Sequence, residues 1–165
     1  VYENKVGVMT NAPSFDWHIT NLRQYMNATP VQPTSANWSD LELTPLGSAT
    51  GGIGLPGDFS SPSRFVRVAF LRAQILMEDI ENDGIIEFFH ILNNVAMVKG
   101  SVITKDGKDE ITQYSSCMNL EKGLYYYKSY NNNQINMLDM HKEDLDGSEM
   151  KIFPYNDIQV VNTLN

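Results

Sequence analysis

Two polar residues, Asn11 and Arg64, have types and positions that could serve chemistry. Asn11 follows residues 5–10, whose alternation of apolar and small side chains predicts a strand, and it lies in a turn that contains Pro13. A structural role in an Asx turn is the ordinary explanation for such an asparagine, and a functional role stays open. Arg64 lies in the first turn of a predicted helix, where a cation faces the positive end of the helix dipole. This unfavourable placement indicates a specific partner for its charge, such as a carboxylate or a thiolate.

The histidines, the cysteine and the glycines are weaker candidates. His18, His90 and His141 are widely separated, and the absence of a cysteine pair or of a His-x-x-x-His spacing predicts no metal site. His90 falls in an apolar predicted helix, where a histidine buried in the core is the favoured interpretation. Cys117 falls in a predicted strand with no recognisable base beside it, so we expect a buried, inert thiol. The glycine-rich residues 51–57 lack the spacing of a nucleotide-binding loop, and the sequence predicts no cofactor.

The composition is that of an ordinary folded protein, because 42% of its 165 residues are hydrophobic and 19% are charged. The net charge of -8 and the lack of a cluster of Lys and Arg argue against binding to nucleic acid or to an anionic membrane surface. A single cysteine cannot form an intramolecular disulfide, and no apolar run is long enough to span a membrane. The chain begins without the pattern of a signal peptide, so we expect a cytoplasmic location.

The first half of the chain is predicted to hold two helices separated by a long loop. The first helix covers residues 14–26, where apolar side chains recur at spacings of four, three and four and a serine can cap the start. Residues 27–63 contain five prolines and five glycines, which excludes a long helix or strand; their apolar side chains predict an ordered loop near a site or an interface. The second helix covers residues 64–77, with Ser61 as its cap and Pro62 at its first position.

The second half of the chain is predicted to be a helix followed by an antiparallel meander. The helix covers about residues 85–98, after which the period of the apolar side chains changes to two. The three consecutive tyrosines in this region should pack on both faces of the sheet. Together the elements predict an α+β protein, with helices covering one face of the sheet. The predicted strands cover residues 102–104, 110–116, 123–130, 134–140 and about 150–153.

Seven strings spread along the chain form a specific ordered set. They are residues 8–17 (VMTNAPSFDW), 21–25 (NLRQY), 51–60 (GGIGLPGDFS), 63–67 (SRFVR), 89–92 (FHIL), 114–116 (YSS) and 124–127 (LYYY). In this order they resemble the corresponding strings of the choloylglycine hydrolases, the family of penicillin V acylases and bile salt hydrolases. Each string is short, but the match covers nearly the whole chain, so chance does not explain it.

The resemblance implies the fold of an N-terminal-nucleophile hydrolase, with two stacked antiparallel sheets between helical layers. Chains of the family are about twice as long, so residues 1–165 would be the C-terminal part of a single domain. Members of the family cleave linear amides with an N-terminal cysteine, whose thiol attacks the amide carbonyl while its own α-amine serves as the base. By motif, Asn11 would supply the oxyanion hole, and Arg64 would stand beside the cysteine and favour its thiolate.

The resemblance also implies what this chain lacks and what it binds. The nucleophile lies in the first half of the family's chains, so we expect this chain alone to be inactive and its first strand to lack sheet partners. The implied partners are that missing N-terminal half, a small amide substrate with an apolar acyl group, and further copies in a homotetramer, with residues 27–63 as a contact surface. Residues 16–18 and 40–47 favour the penicillin V acylase branch. The alternative is a non-catalytic binding or assembly domain on the same scaffold, since a fold does not determine function.

Overall fold

The computed structural model describes residues 1–77 and 83–165, and its contacts divide the chain into two compact units. The N-terminal unit is Val1–Met77, and the C-terminal unit is Glu78–Asn165. Helices and antiparallel strands both occur, so the predicted α+β class is confirmed. That the chain is part of one domain stays a prediction.

The N-terminal unit is built on two helices and a small hairpin. Helix α1 covers Phe15–Leu22 and continues as a short 3-10 turn, Arg23–Tyr25. Strands β1 (Ala36–Trp38) and β2 (Leu41–Leu43) pair with each other in the loop that leads to helix α2 (Ser61–Gln74). Both predicted helices are confirmed, and each ends a few residues before the predicted position.

The start of helix α2 is capped by a different serine from the one predicted. Ser60, not Ser61, is the N-cap, and its Oγ accepts a hydrogen bond from the backbone N–H of Ser63 at 3.4 Å. Pro62 therefore falls at the second helical position, not the first. The hydroxyl of Ser61 is engaged with residues far away in the sequence, which leaves the capping bond to Ser60.

The core of the N-terminal unit forms where α1 meets α2. Phe65 and Val66 of α2 are each 1% exposed, and so is His18 of α1. The imidazole of His18 stacks on the ring of Phe65 with 4.5 Å between centroids, and Phe15 meets the same ring edge-on at 6.4 Å. Aromatic burial of this kind is a large stabilising contribution, and here it fixes α2 against the helix that follows Asn11.

Residues 5–10 do not form the predicted strand. Instead this segment is bonded to the side of α2: Arg72 Nη1 donates to the carbonyl of Val6 at 3.0 Å, and the hydroxyls of Thr10 and Ser61 lie 2.6 Å apart. A strand exists only where a neighbour pairs with its backbone groups, and within the described residues this segment has no such neighbour. The strand prediction is wrong for this chain.

The loop between α1 and α2 has little regular structure, as predicted, apart from its hairpin. Trp38 pairs with Leu41, and Ser39 takes a left-handed backbone conformation (φ +55°) in the two-residue turn between them. The strands stay short because prolines on both sides interrupt any longer ladder. Their apolar side chains face solvent, since Trp38 is 74% exposed and Leu41 is 61% exposed.

The C-terminal unit is a helix with a three-stranded antiparallel sheet. Helix α3 covers Asp83–Asn93, so it begins near the predicted residue and ends earlier. Strands β3 (Tyr114–Asn119), β4 (Leu124–Ser129) and β5 (Asn136–Asp139) form the predicted meander in the order β3-β4-β5. A 3-10 turn, Met140–Lys142, follows the last strand.

The sheet of the C-terminal unit has two different faces. Tyr126 and Lys128 lie on the face next to α3, where the Lys128 ammonium is 5.8 Å from the centre of the Phe89 ring. Tyr125 and Tyr127 point to the opposite face, because side chains alternate along a strand. The prediction that the tyrosines pack on both faces is confirmed.

Three other strand predictions need correction. Residues 102–104 form only one isolated bridge, between Ile103 and Asp109, because no further pairs extend the ladder outward from the turn that joins them. The strand predicted to begin at residue 110 begins at Tyr114. Residues 150–153 form no strand; they are exposed, and no ladder satisfies their backbone groups.

Candidate active site

Asn11 and Arg64 lie together in the N-terminal unit. Arg64 Nη2 donates a hydrogen bond to Oδ1 of Asn11 at 3.1 Å, although the two residues are 53 positions apart. Arg64 Nε donates to the backbone carbonyl of Phe59 at 3.1 Å, which holds the guanidinium at the start of α2. The structure therefore joins the two residues that the sequence singled out.

The bond to Arg64 determines which way the amide of Asn11 turns. A guanidinium carries only donors, so the atom that faces it is the carbonyl oxygen, and the NH2 group of Asn11 is turned away. Asn11 is exposed, and no residue in the described parts of the chain accepts a hydrogen bond from that NH2 group. An outward-facing amide donor beside a fixed cation can stabilise a negatively charged oxygen.

The charge of Arg64 is offset by dipoles and not by an acid. Its observed acceptors are the carbonyl oxygens of Phe59 and Asn11, which compensate for its position at the positive end of α2. None of the Asp and Glu residues that the structure describes forms an ion pair with Arg64. Within residues 1–77 and 83–165 no carboxylate is the partner of Arg64, and a thiolate partner, whose pKa the cation would lower, stays a prediction.

A second polar cluster supports the start of α2. Asp58 accepts hydrogen bonds from the N–H of Ser60 at 2.8 Å and from the hydroxyl of Ser63 at 2.5 Å. Hydrogen bonds from the hydroxyls of Ser60 and Ser63, and then from the Ser60 backbone, lower the pKa of Asp58 to about 2. Arg67 Nη1 donates to the carbonyls of Pro56 and Asp58, at 2.8 and 2.7 Å, and so ties the end of the glycine-rich loop to the helix. Sequence reasoning missed this cluster, although an aspartate two residues before a helix cap was a visible signal.

His18 is a buried polar residue that sequence reasoning also missed. Within the described residues, neither of its ring nitrogens has a hydrogen-bond partner. A neutral imidazole carries one N–H, so its burial leaves a donor and an acceptor unsatisfied, at a cost on the order of 1–3 kcal/mol. The available signal was its spacing from Phe15 and Leu22, which places all three on one face of α1.

The other candidates lie in the C-terminal unit. His90 is exposed on α3 and Phe89 is buried in its place, so the prediction of a core histidine is wrong by one helical position. Cys117 is half-buried in β3, and burial raises the pKa of its thiol, which agrees with an inert cysteine. His141 is exposed in the turn after β5. In the parts of the chain that the structure describes, no group of side chains could hold a metal ion, and no helix is long and apolar enough to cross a membrane.

An apolar cleft of about 240 Å³ lies on the face of the C-terminal sheet opposite α3. Its only polar side-chain groups are tyrosine hydroxyls, and that of Tyr155 already donates to the carbonyl of Gln113 at 3.0 Å. Amide hydrolysis needs a nucleophile, a base and an oxyanion donor, and this cleft presents none of them ready for use. The cleft is lined by Tyr114, Tyr125, Tyr127, Leu138, Phe153, Pro154 and Tyr155.

The sequence of the chain is similar to those of known amide hydrolases. A family model described as linear amide C-N hydrolases, choloylglycine hydrolase family, matches residues 1–153. The chain belongs to the choloylglycine hydrolase family. It is 53% identical over 165 residues to the bile salt hydrolase/transferase of Clostridium perfringens (strain 13 / Type A), covering 100% of this chain and 50% of that protein. The bile salt hydrolase/transferase of Lactiplantibacillus plantarum is 42% identical over 154 residues, which cover 93% of this chain and 48% of the relative.

Solved structures of choloylglycine hydrolases have the same fold. A mutant of the conjugated bile acid hydrolase from Clostridium perfringens superimposes with a TM-score of 0.88 at 54% identity, covering 98% of this chain and 49% of that chain. The penicillin V acylase from Agrobacterium tumefaciens superimposes with a TM-score of 0.56 at 22% identity, over 81% and 36% of the two chains, which is a likeness of fold alone. The chain thus spans about half the length of the relatives it matches. The predicted preference for the acylase branch stays a prediction.

Proposed function

We propose that the full-length protein containing this chain hydrolyses the amide bond of conjugated bile salts. The observation that carries the proposal is the hydrogen bond between Arg64 and Asn11, which turns an unpartnered amide donor outward beside a fixed cation. The choice of substrate is supported by the relatives at 53% and 42% identity, which are bile salt hydrolases/transferases. Such substrates carry an apolar acyl group and need no metal or other cofactor for attack by a thiol.

The proposed nucleophile is an N-terminal cysteine in the part of the protein outside this chain. Its α-amine takes the thiol proton, the sulfur attacks the amide carbonyl carbon, and the π electrons move to the oxygen. The NH2 group of Asn11 donates to this oxyanion, and a donor of that kind lowers the barrier by about 3 kcal/mol. Collapse of the intermediate expels the amine with the proton from the α-ammonium, and water then hydrolyses the thioester. On this mechanism the chain alone is inactive.

Arg64 has a separate role in the proposal. Its charge would favour the thiolate of the cysteine over the thiol, because a cation a few ångströms away stabilises the charged form. Its contacts with Phe59 and Asn11 support this role, since they hold the guanidinium without neutralising it. One arginine would thereby orient the oxyanion donor and activate the nucleophile.

The test of the function measures hydrolysis of glycocholate and of penicillin V by the full-length protein. Asn11→Ala should lower kcat for glycocholate about 10²- to 10³-fold, because the variant loses a donor that acts mainly in the transition state. Asn27→Ala, at an exposed position of the same unit, is the matched control and should behave like the parent. A parent that cleaves neither substrate, or an Asn11→Ala variant that keeps its activity, would favour the non-catalytic binding or assembly domain.

We also propose that the protein forms a homo-oligomer, as a tetramer, through residues 27–63, the loop that contains strands β1 and β2. Several apolar side chains there face solvent, among them Trp38, Leu41 and Leu46, with exposed fractions of 74%, 61% and 95%. Clustered exposed apolar groups are typical of protein–protein contacts. Replacing Trp38 and Leu41 by serine should therefore reduce the native mass measured by light scattering, and a tetramer that survives this change would reject the hairpin as the contact.

A further inference from the structure

The hydroxyl of Ser61 contacts both sequence neighbours of Asn11. Ser61 Oγ lies 2.6 Å from Oγ1 of Thr10, and it accepts a hydrogen bond from the backbone N–H of Ala12 at 3.2 Å. A hydroxyl has one hydrogen and two lone pairs, so it can make both bonds at once. Ser61 is the first residue of α2, so one side chain of that helix bonds to the side chain of the residue before Asn11 and to the backbone of the residue after it.

We infer that Ser61 is a positioning residue for the oxyanion donor and that it acts on catalysis through Asn11. The inference rests on the proposed function, because it assumes that the Asn11 amide stabilises the oxyanion. Asn11 is exposed and no strand pairs with its segment within the described residues, so neither packing nor a ladder holds its backbone. Besides Ser61 and Arg64, Arg72 of α2 also bonds to this segment, but its acceptor, the carbonyl of Val6, is five residues away from Asn11.

Two anchors are needed to aim a side-chain amide. The bond from Arg64 fixes the far end of the Asn11 side chain, whereas the Ser61 hydroxyl holds the Thr10 hydroxyl and the Ala12 N–H on the two sides of Asn11. Ser61 and Arg64 lie three positions apart on one helix, whose residues Phe65 and Val66 are 1% exposed. Because both anchors belong to one packed element, the amide and the guanidinium keep their relative placement. A misplacement of about 1 Å in such a donor costs about 100-fold in rate.

The test uses the full-length protein and the hydrolysis of glycocholate. Ser61→Ala removes both contacts, and we expect kcat to fall about 10- to 100-fold while KM changes less than about threefold. Ser61→Thr keeps the hydroxyl and should restore most of kcat. Ser101→Ala is the matched control in the C-terminal unit, because it removes a hydroxyl that donates to the carbonyl of Val98 at 2.5 Å, and it should leave kcat unchanged.

Combining these changes with Asn11→Ala separates positioning from a general structural role. Once Asn11 is gone, Ser61→Ala should lower kcat by less than about twofold more, since residues that act as a unit are not additive. A further loss of about tenfold or more in that background would overturn the inference. Thr10→Val removes one partner of the Ser61 hydroxyl and leaves Ser61 in place, so it supplies the same comparison if Ser61→Ala does not fold.

The same variants distinguish a failure of the inference from a failure of the proposed function. Full activity of Asn11→Ala would overturn both. A collapse of activity in Asn11→Ala, together with a parent-like kcat in Ser61→Ala and Thr10→Val, would overturn the positioning role of Ser61 and leave the proposed function standing.

Discussion

The two units of this chain hold their backbones in different ways. In the C-terminal unit the ladder of β3, β4 and β5 pairs backbone with backbone. In the N-terminal unit the segment before α1 has no ladder, and Ser61, Arg64 and Arg72 of α2 bond to it instead. A ladder uses the backbone groups of a strand for pairing. Side-chain bonds from a helix hold a segment at a few points and leave its other polar groups, such as the NH2 group of Asn11, exposed. This difference explains why the candidate site lies in the N-terminal unit.

Each unit also contains a half-buried cation, and the surroundings of the two cations differ. Arg64 is surrounded by carbonyl oxygens, which support its charge. Lys128 lies beside the Phe89 ring and donates to Oδ1 of Asn93, and burial lowers the pKa of its ammonium group. The carbonyl oxygens stabilise the positive charge of Arg64, whereas burial destabilises the positive charge of Lys128.

The largest expected effect comes from removing Arg64, and not Lys128, in the full-length protein. Arg64→Met should raise the pKa of the nucleophilic thiol by about 1–3 units, because the thiolate loses a stabilising cation. The acid limb of the pH profile of kcat/KM should move to higher pH by that amount, with activity below the limb falling about 10- to 1000-fold. Lys128→Met is the matched control, and its profile should follow the parent. An acid limb that stays in place in Arg64→Met would contradict the role given to Arg64.

The units also differ in how they bury polar side chains. The side chain of His18 in the N-terminal unit is buried, and its ring nitrogens have no hydrogen-bond partner within the described residues. The side chain of Asn132 in the C-terminal unit is also buried, but both its amide nitrogen and its amide oxygen form hydrogen bonds. The Asn132 amide donates to the carbonyl of Asn156 at 3.4 Å and accepts from the N–H of Gln134 at 3.0 Å. Burial of the unsatisfied imidazole lowers the stability of the fold, whereas the hydrogen bonds of the buried Asn132 amide raise it.

Replacing these two residues should therefore have opposite effects on stability. His18→Phe keeps the stacked ring and removes the unsatisfied nitrogens, so the free energy of unfolding should rise by about 1 kcal/mol. Asn132→Leu removes the acceptor of the Gln134 N–H and one of the two donors to the carbonyl of Asn156, so the same quantity should fall by about 1–3 kcal/mol. Urea unfolding of the full-length variants measures both changes. A clear loss of stability in His18→Phe would mean that the imidazole does have a partner in the full-length protein.

Features that depend on neighbouring residues were predictable from the sequence, and features that depend on residues far away along the chain were not. The three helices follow from the spacing of apolar residues, which is a local property. The alternation in residues 5–10 describes side-chain faces and contains no information about a strand partner, so it predicted a strand that does not form. The choice of Ser60 over Ser61 as cap depends on Thr10, which is 51 positions from Ser61. Likewise, position alone marked Asn11 and Arg64 as unusual, but only the fold joins them.

Two aspartates, the exposed Asp58 and the half-buried Asp157, extend the comparison at a smaller scale. Asp58 accepts hydrogen bonds at the start of α2, and Asp157 accepts one from the Asn131 amide at 2.6 Å beside the turn between β4 and β5. Hydrogen bonds from Ser60 and Ser63 lower the pKa of Asp58 from 3.8 to about 2, and those from Ser129 and Asn131 lower the pKa of Asp157 below 3.8. In each case the folded state favours the ionised form.

The smallest expected effect is a loss of stability at neutral pH when either aspartate is replaced. Because the folded pKa is depressed, the contribution of Asp58 is fully present above its unfolded value of 3.8 and is lost as the pH falls toward about 2. Asp58→Asn and Asp157→Asn should therefore each lower Tm slightly at neutral pH, and the difference from the parent should shrink on acidification through that window. Only Asp58→Asn should also lower kcat, since its carboxylate supports the helix that holds Arg64 and Ser61. Equal kcat losses in the two variants would show that the site depends on the C-terminal unit as much as on its own helix.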